Sequence, residues 1–305
     1  LAKALNVKLE NHHRAVDDAR AVANRLGIRY HVLNFKDCFE QNVINPFVSE
    51  YLKGRTPNPC IMCNRVVKFE EFLRRANVLG FDYIATGHYG IVEKTDDRFL
   101  LKRSVTDRKD QTYALYNLTQ PQLSQLLLPV GTMEKPQVRE YAEKIGIPTF
   151  DKPDSQEICF VHDNNYAGFI EKRGFNSPKG DFVDIDGNVI GEHLGIIHYT
   201  VGQRKGLGIA LGKPVFVYGV DPVKNQVRLC DNQALFQTKL YAGDLSHMAY
   251  EKFEDGMRFQ AKIRYAHKAA WCTVKMIGED ILEVTFDEPQ RAITPGQSLV
   301  LYDGE

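Results

Sequence analysis

The sequence has no long apolar run and no excess of charge of either sign. No stretch approaches the ~18 consecutive apolar residues of a membrane span, and the N-terminus lacks the pattern of a signal peptide. Its 305 residues hold 39 Lys and Arg against 39 Asp and Glu. A nucleic-acid partner would therefore need a local basic surface, because the chain as a whole offers no net attraction for phosphates. These absences predict a cytoplasmic protein.

Cysteine is also scarce, with six residues in the chain, and this excludes a disulfide-stapled scaffold. Cytosolic thiols stay reduced by default, so a cysteine pair that oxidises there is more often catalytic than structural. Internal repeats and low-complexity tracts are lacking. The remaining composition, 43% hydrophobic and 26% charged, is that of a globular protein, and its length predicts two or three domains.

The N-terminal half alternates helix and strand patterns. Apolar residues at helical spacing predict a helix that ends at Gly27, followed by a strand over 30–35. A second helix is expected over 64–79, a strand over 83–86 and a third helix over 137–145. Helices and strands that alternate with short connections predict a parallel sheet with helices on its faces.

After Cys159 the pattern changes to turns and short strands, with strands expected over 181–185 and 195–200. Period-2 strands then dominate, over 226–230, 259–265, 272–276, 282–286 and 298–302. Strands of this length and spacing predict a small antiparallel barrel. We therefore expect an α/β domain over 1–160, a small central α+β domain over 161–222 and an antiparallel β-barrel over 223–305.

The densest chemical motif is a proline-stiffened loop that presents Cys60 and Cys63 just before the second predicted helix. A helix N-terminus carries partial positive charge, which favours a thiolate over a thiol, and Arg55 and Arg65 lie nearby in sequence. Cys63 is therefore a candidate nucleophile. Two alternatives stay open: half of a zinc site, although no second ligand pair follows downstream, and buried cysteines that act as small hydrophobic residues.

A second cysteine motif stands where the α/β pattern ends. Cys159 closes the polar run over 154–160, at a domain junction, and active sites often lie at such junctions. A cysteine that carries sulfur needs another cysteine to release it by thiol–disulfide exchange, which favours a pairing of Cys159 with Cys63. The alternative is a buried cysteine between domains.

Residues 86–89 follow the strand expected at 83–86. Ligands of open α/β sheets bind beyond the carboxyl ends of strands, where Gly87 would let a ligand approach the backbone and His88 could stack or hydrogen-bond. A lone histidine is more often structural. Basic residues near aromatic ones, over 109–111, 203–205 and 262–268, could contact RNA phosphates and bases or could form an ordinary solvated surface.

Together these motifs resemble the tRNA-specific 2-thiouridylase family. The matching segments follow the family's order over nearly the whole chain, at 54–64, 83–89, 109–113, 154–160, 199–209, 262–265 and 294–298. The resemblance implies an adenine-nucleotide α-hydrolase-like N-terminal domain, a small central domain and a C-terminal β-barrel. It also implies that ATP adenylates the C2 oxygen of a tRNA wobble uridine. A persulfide on Cys159 would then supply sulfur, while Cys63 acts as nucleophile and forms a disulfide with Cys159.

The same resemblance implies the binding residues and partners. Val7 and Gly87 would contact ATP, which would bring Mg²⁺. The tRNA would be held by Asn58, Pro59, Cys60, His88, Lys109, Asp110, Gln111, Arg264, Tyr265 and Gln297. The first three of these would face the target base, which must leave the anticodon stack. The implied partners are a tRNA anticodon loop and a persulfide donor, such as a cysteine desulfurase or a relay protein.

The sequence departs from the family's pattern at three places, one of which is that it stops at residues 302–305, before the family's Cys-Leu-Gly-Gly-Gly strand. The family's Ser-Gly-Gly-x-Asp-Ser pyrophosphate loop does not occur, so ATP binding is expected without its main motif. Cys60 stands where many members have Asp, so no general-base role carries over to it. Two other functions stay open: an ATP-dependent amidating ligase of the same fold, in which the cysteine pair has no role, and a non-catalytic RNA-binding module.

Overall fold

The computed structural model of the protein describes residues 15–152, 158–161 and 163–304. Its first helix, α1, covers residues 15–26 and stops at Gly27, whose φ is +67°. The predicted helix and its end are confirmed. The strand predicted over 30–35 is wrong, because this segment is irregular and pairs with no strand in the described part of the chain. Without a partner, an extended segment has no hydrogen-bond ladder to join.

Two helical segments each contain a π-helical stretch. The first runs through α2 (Lys36–Phe39), a π-helical turn (Glu40–Ile44) and α3 (Asn45–Leu52). The second runs through α4 (Pro59–Met62), a π-helical stretch (Cys63–Glu71) and α5 (Phe72–Val78). The remaining helices are α6 (Gln120–Ser124), α7 (Lys135–Lys144) and α8 (Tyr166–Glu171), with 3₁₀ turns at Thr112–Ala114, Ile196–His198 and Gln233–Leu235. Helix α7 confirms the helix predicted over 137–145.

The second segment begins five residues before the predicted start. The Asn58 side chain accepts a hydrogen bond from the Cys60 amide at 3.1 Å and so caps the helix. Pro59 occupies the first helical position, where its fixed φ and missing N–H are tolerated. This proline therefore starts the helix and does not stiffen a loop before it.

Short strands complete the N-terminal domain. Strand β1 (Ile84–Ala85) pairs in parallel with β4 (Leu126–Leu127), and β2 (Ile91–Lys94) pairs antiparallel with β3 (Phe99–Lys102). Ile84 and Leu126 pack in one core cluster with Phe69 and Leu73 of the second helical segment. The parallel pair with helices packed on it matches the predicted α/β arrangement.

The central sheet has four strands in the order β6-β5-β8-β7. Its strands are β5 (Gly180–Val183), β6 (Val189–His193), β7 (Phe216–Asp221) and β8 (Gln226–Cys230). The sequence places the strand over 226–230 in the C-terminal barrel, but β8 pairs with β5 and β7 instead. The strand predicted over 195–200 is also wrong, because Gly195 has a φ of +126° and starts a 3₁₀ turn.

The C-terminal domain is a five-stranded antiparallel sheet in the order β13-β10-β11-β12-β9. Its strands are β9 (Phe236–Gly243), β10 (Arg258–Lys262), β11 (Ala270–Gly278), β12 (Ile281–Arg291) and β13 (Val300–Tyr302). Phe259, Cys272, Val274 and Leu282 fill its core, as period-2 alternation predicts. In the described ranges, no helix is both long and apolar enough to cross a membrane.

The C-terminal domain docks against the chain just before the second helical segment. The Thr56 amide donates to the Pro295 carbonyl at 2.9 Å, and Gln297 Nε2 donates to the Thr56 carbonyl at 2.6 Å. Gly296 lies between these contacts with a φ of +93°, and a Cβ there would lie 2.9 Å from the Thr56 nitrogen. Only glycine allows this close approach.

Candidate active site

Three cysteines from two distant segments meet at the start of the second helical segment. Cys60 is exposed in the first turn, Cys63 is half-buried one turn later, and Cys159 is exposed on the segment 158–161. Cys159 lies close enough for its charge to raise the pKa of Cys60 and of Cys63. Cys38 also acts on Cys63 in this way. All six cysteines of the chain are free thiols.

The Cys159 segment is held in place by an aromatic cluster. The ring of Phe160 lies 5.7 Å from that of Phe39, 5.2 Å from that of Phe47 and 5.3 Å from that of Phe169, measured between centroids. The contacts with Phe39 and Phe47 are edge-to-face, the geometry that aromatic rings prefer. These ring contacts therefore anchor Phe160, the residue that follows Cys159, while Cys159 itself stays exposed.

Burial governs the protonation of these thiols. Cys63 lies in the second turn of its helical segment, not at the N-terminus, and burial raises its pKa to about 11. Burial also raises the pKa of Cys60 and of Cys159. The expectation that the helix terminus favours a Cys63 thiolate is therefore wrong for the free protein, because desolvation of the charged form outweighs it.

A lysine that sequence patterns do not identify faces all three thiols. Lys68 lies on the π-helical stretch, and its charge lowers the pKa of Cys60, Cys63 and Cys159. A π-helix bonds residue i to i+5, which puts Cys63 and Lys68 on nearly the same face. In an α-helix of 3.6 residues per turn, positions five apart point about 140° away from each other. The π-helical winding therefore turns the Lys68 position toward the face that carries Cys63.

Lys68 also contacts His88 at the carboxyl end of β1. Its Nζ lies 3.4 Å from His88 Nε2, and His88 Nδ1 lies 2.8 Å from Thr86 Oγ1. Burial, and then the charge of Lys68, lower the pKa of His88 to about 4, so the imidazole is neutral near pH 7. An ammonium can only donate, so Nε2 accepts from Lys68 and Nδ1–H donates to Thr86. His88 thus orients Lys68.

The backbone beside His88 is open to a ligand. Gly87 is exposed, and a Cβ built on it would meet no atom within 4 Å. Such space beyond the carboxyl end of a parallel strand is where ligands of α/β sheets bind. Val7, the other predicted ATP contact, lies outside the described residues. Within the ranges that the structure describes, no group of three His, Cys, Asp or Glu side chains could hold a metal ion.

Three family models match consecutive parts of the chain. They are described as the tRNA methyl transferase HUP domain over residues 4–163, the tRNA methyl transferase PRC-barrel domain over 167–231 and the aminomethyltransferase beta-barrel domain over 237–305. This order confirms the predicted fold class, with an α/β domain followed by a central domain and a C-terminal β-barrel.

Curated relatives identify the family more closely. A protein of Acetivibrio thermocellus is 57% identical over 294 residues, which cover 95% of this chain and 82% of the relative. A protein of Clostridioides difficile is 53% identical over 294 residues, covering 95% of this chain and 81% of the relative. Both are named tRNA-specific 2-thiouridylase MnmA. This chain belongs to the tRNA-specific 2-thiouridylase family. The predicted resemblance is confirmed.

In this thiouridylase-family chain, two of the segments predicted to bind RNA meet beside Cys60. The Tyr265 hydroxyl donates to the Asp110 carbonyl at 3.2 Å. Burial and the Asp110 charge raise the pKa of Tyr265, with smaller effects from Lys109 and Cys60. Tyr265 remains exposed and could offer a flat face to a base. The structure thus joins the segments 109–111 and 264–265 next to the cysteines.

Several predicted RNA residues instead use their side chains within the protein. Asp110 is buried, and its carboxylate accepts from the Ser104 amide at 2.9 Å. Gln111 Oε1 accepts from the Tyr89 amide at 2.9 Å. These two side chains therefore hold the loop that carries Lys109, and their own contact with the tRNA stays a prediction.

Three other residues that are predicted to bind tRNA also have contacts within the protein. Pro59 is buried under the helix start, and Gln297 holds Thr56. Arg264 is half-buried, and its Nη2 donates to the Arg291 carbonyl at 2.7 Å. Each of these side chains helps to position a loop of the site, and its contact with tRNA stays a prediction.

Proposed function

We propose that this protein is an ATP-dependent tRNA-uridine 2-sulfurtransferase that replaces the C2 oxygen of a wobble uridine with sulfur. The observation that carries the proposal is that Cys159, far from Cys63 in sequence, lies close enough to raise the pKa of Cys63. The names of the relatives supply the substrate class, a tRNA uridine. A cysteine pair at one site supplies the chemistry that sulfur transfer requires.

The first proposed step activates the uridine. Its C2 oxygen attacks the α-phosphorus of ATP, the P–O bond to pyrophosphate breaks, and pyrophosphate leaves with that electron pair. The oxygen is then part of AMP, a far better leaving group. ATP and its Mg²⁺ would approach the open backbone at Gly87 and, outside the described residues, Val7. The exposed space at Gly87 supports this placement.

The second proposed step transfers sulfur. The terminal sulfur of a persulfide on Cys159 attacks C2, and AMP leaves with the oxygen. The Cys63 thiolate then attacks Sγ of Cys159, so a Cys63–Cys159 disulfide forms and the S–S bond to the base breaks. Its electron pair stays on the new 2-thiouridine. A thiol reductant must reopen the disulfide, and a cysteine desulfurase or relay protein would reload Cys159.

We also propose how the chain divides this work. Residues 1–160 would bind the nucleotide and perform the chemistry, while 161–222 and 223–305 would hold the tRNA. The pairing of β8 with β5 supports a second boundary after residue 230. The anticodon loop would contact Asn58, Cys60, His88, Lys109, Arg264 and Tyr265. The proximity of Tyr265 to Lys109 and Cys60 supports this surface.

The test is an assay of the protein with tRNA, ATP, Mg²⁺ and a persulfide donor, read by mass spectrometry of the nucleosides. We expect 2-thiouridine, and its mass distinguishes sulfur exchange from methylation. Cys63→Ser and Cys159→Ser should each lower product by roughly 10³-fold or more, as removal of a nucleophile does. Both should bind tRNA as the unmodified protein does, because phosphate contacts dominate affinity. Cys230→Ala, in the central sheet, is the control.

Two results would replace the proposal. Undiminished ATP-dependent turnover in Cys159→Ser would favour an amidating ligase of the same fold. Tight tRNA binding without any 2-thiouridine, with ATP and donor present, would favour a non-catalytic RNA-binding module.

A further inference from the structure

Sulfur exchange needs an anionic sulfur at a site where burial favours the neutral thiol. Burial is the largest influence on the protonation of Cys60, Cys63 and Cys159. Among the described residues, the charges that act on these thiols come from Lys68 and from cysteines. Cys159 opposes the ionisation of Cys60 and Cys63, whereas Lys68 favours the ionisation of all three thiols.

We propose that Lys68 is the positioning residue that stabilises the anionic sulfur as Cys63 and Cys159 exchange it. This inference rests on the proposed sulfurtransferase function. The π-helical stretch places Lys68 on the Cys63 face, and His88 fixes its ammonium beside the end of β1.

The geometry allows the Lys68 ammonium to act on the sulfurs of both Cys63 and Cys159 while it contacts His88. An ammonium carries three N–H donors, and His88 Nε2 accepts only one of them. The 3.4 Å distance between Nζ and Nε2 is long for such a bond, and the Lys68 side chain is exposed. Its flexible stem can therefore turn the charge from one sulfur to the other while His88 and Thr86 keep it near the site.

A purely structural role is the competing interpretation. Lys68 joins the second helical segment to β1 through His88, and this contact alone could justify a lysine. The two roles differ in one measurable respect. A tether requires the hydrogen bond, whereas stabilisation of the sulfur requires the charge and changes how the thiols ionise with pH.

The experiment compares Lys68→Met and Lys68→Arg with the unmodified protein. The rate of iodoacetamide alkylation at each cysteine is measured by peptide mass spectrometry from pH 6 to pH 10, and single-turnover formation of 2-thiouridine is measured in parallel. Lys144→Met, which removes an exposed lysine from the end of α7, is the matched control. Circular dichroism confirms that each variant is folded.

We expect Lys68→Met to slow alkylation of Cys63 and Cys159 near pH 7.5 by roughly three- to tenfold, because one pKa unit is a tenfold change in thiolate. The pH dependence of alkylation should shift to higher pH. The single-turnover rate should fall, while the KM for tRNA changes little. Lys68→Arg should recover most of both rates, and Lys144→Met should leave them unchanged.

Two results would overturn the inference. Alkylation profiles that are identical in Lys68→Met and the unmodified protein would show that the charge does not act on the thiols. A Lys68→Arg variant as impaired as Lys68→Met would show that a positive charge at this position does not account for the effect of Lys68. Failure of the proposed function is separate: no 2-thiouridine would form in any variant, while the alkylation profiles would still report the effect of Lys68 on the cysteines.

Discussion

At the residue scale, His88 links the protonation of the site to the stability of the fold. Its neutral ring accepts a hydrogen bond from Lys68 and donates one to Thr86. It also packs against Phe69 of the N-terminal core, with ring centroids 5.5 Å apart. Protonation would put a second positive charge beside Lys68 and remove the acceptor that orients it. Both effects oppose protonation in the folded protein.

The stability of the protein should therefore fall as the pH is lowered through the range between the two pKa values of His88. Its pKa is about 4 in the folded protein and 6.5 in the absence of the fold. Between these values the unfolded chain binds the proton and the folded protein does not, so acid favours unfolding. The contribution is fully present above the unfolded value and amounts to about 1–3 kcal/mol for this half-buried ring.

The measurement is chemical unfolding of the unmodified protein and of His88→Gln at pH 7 and pH 5. The glutamine variant should lose less stability between the two pH values. Equal losses in both proteins would contradict the assignment of a lowered His88 pKa.

The cation that acts on the thiols could not be predicted from the sequence. Arg55 and Arg65 are near the cysteines in sequence and are the cations that the motif suggests. In the structure Arg55 pairs with Glu50 at 2.7 Å, and Arg65 lies 3.9 Å from Asp244. The cation that acts on the thiols is Lys68, whose position depends on π-helical winding. Hydrophobic periodicity carries no signal for such winding.

At the element scale, the segment 158–161 determines where Cys159 lies. Phe160 inserts between rings contributed by α2, α3 and α8, through Phe39, Phe47 and Phe169. These elements are otherwise part of the core that the central domain shares with the N-terminal helices. An aromatic anchor next to a reactive cysteine reduces the conformations from which the thiol must reach Cys63.

Phe160→Ala should slow disulfide formation between Cys63 and Cys159 under a mild oxidant by roughly three- to tenfold, because the loss of the anchor lowers the effective concentration of the two thiols. The disulfide is followed by peptide mapping. Phe175→Ala, which truncates an exposed phenylalanine, should leave the rate unchanged. An unaltered rate in Phe160→Ala would show that the aromatic cluster does not position Cys159.

Helices and strands with a regular hydrophobic period and a residue that marks their end could be predicted from the sequence. Helix α1 ends at Gly27, and the strands of the C-terminal sheet follow their period-2 patterns. The segment 30–35 has the composition of a strand but pairs with no described strand. Likewise, the strand at 226–230 is correct, but its partners lie in the central sheet. Pairing depends on tertiary contacts that local patterns do not contain.

At the scale of the whole molecule, the C-terminal domain contacts the segment that leads into the cysteine site. Gly296 brings its backbone against Thr56, four residues before Cys60, and Gln297 adds a hydrogen bond. Tyr113 of the N-terminal domain donates to the Ser298 carbonyl at 2.7 Å. The barrel is therefore connected to the start of the helix that carries Cys60, and movement of the barrel would move the site.

Gly296→Ala should destabilise the protein by about 1–3 kcal/mol and lower 2-thiouridine formation, because a Cβ 2.9 Å from the Thr56 nitrogen forces the two domains apart. The control is Gly256→Ala in the same domain. Gly256 also has a positive φ, +88°, but a Cβ there meets no atom within 4 Å. If both variants lost the same stability and activity, backbone strain alone would explain the effect and the docking contact would have no role.

The three-part architecture is the property of the whole molecule that the sequence predicts best, because its motifs resemble those of one family from end to end. The arrangement of the site is predicted less completely. The cysteines at 60, 63 and 159 are visible as motifs, but their proximity comes from the packing of distant elements. The internal hydrogen bonds of Asp110 and Gln111 depend on tertiary packing, which their polar character does not indicate.

The most direct test of the proposed sulfur transfer is to count disulfides in a single turnover. The protein would be loaded with persulfide on Cys159, mixed with tRNA and ATP, quenched with an alkylating agent and mapped by peptide mass spectrometry. We expect one Cys63–Cys159 disulfide for each 2-thiouridine formed. Formation of 2-thiouridine while Cys63 and Cys159 remain separately alkylatable would contradict it.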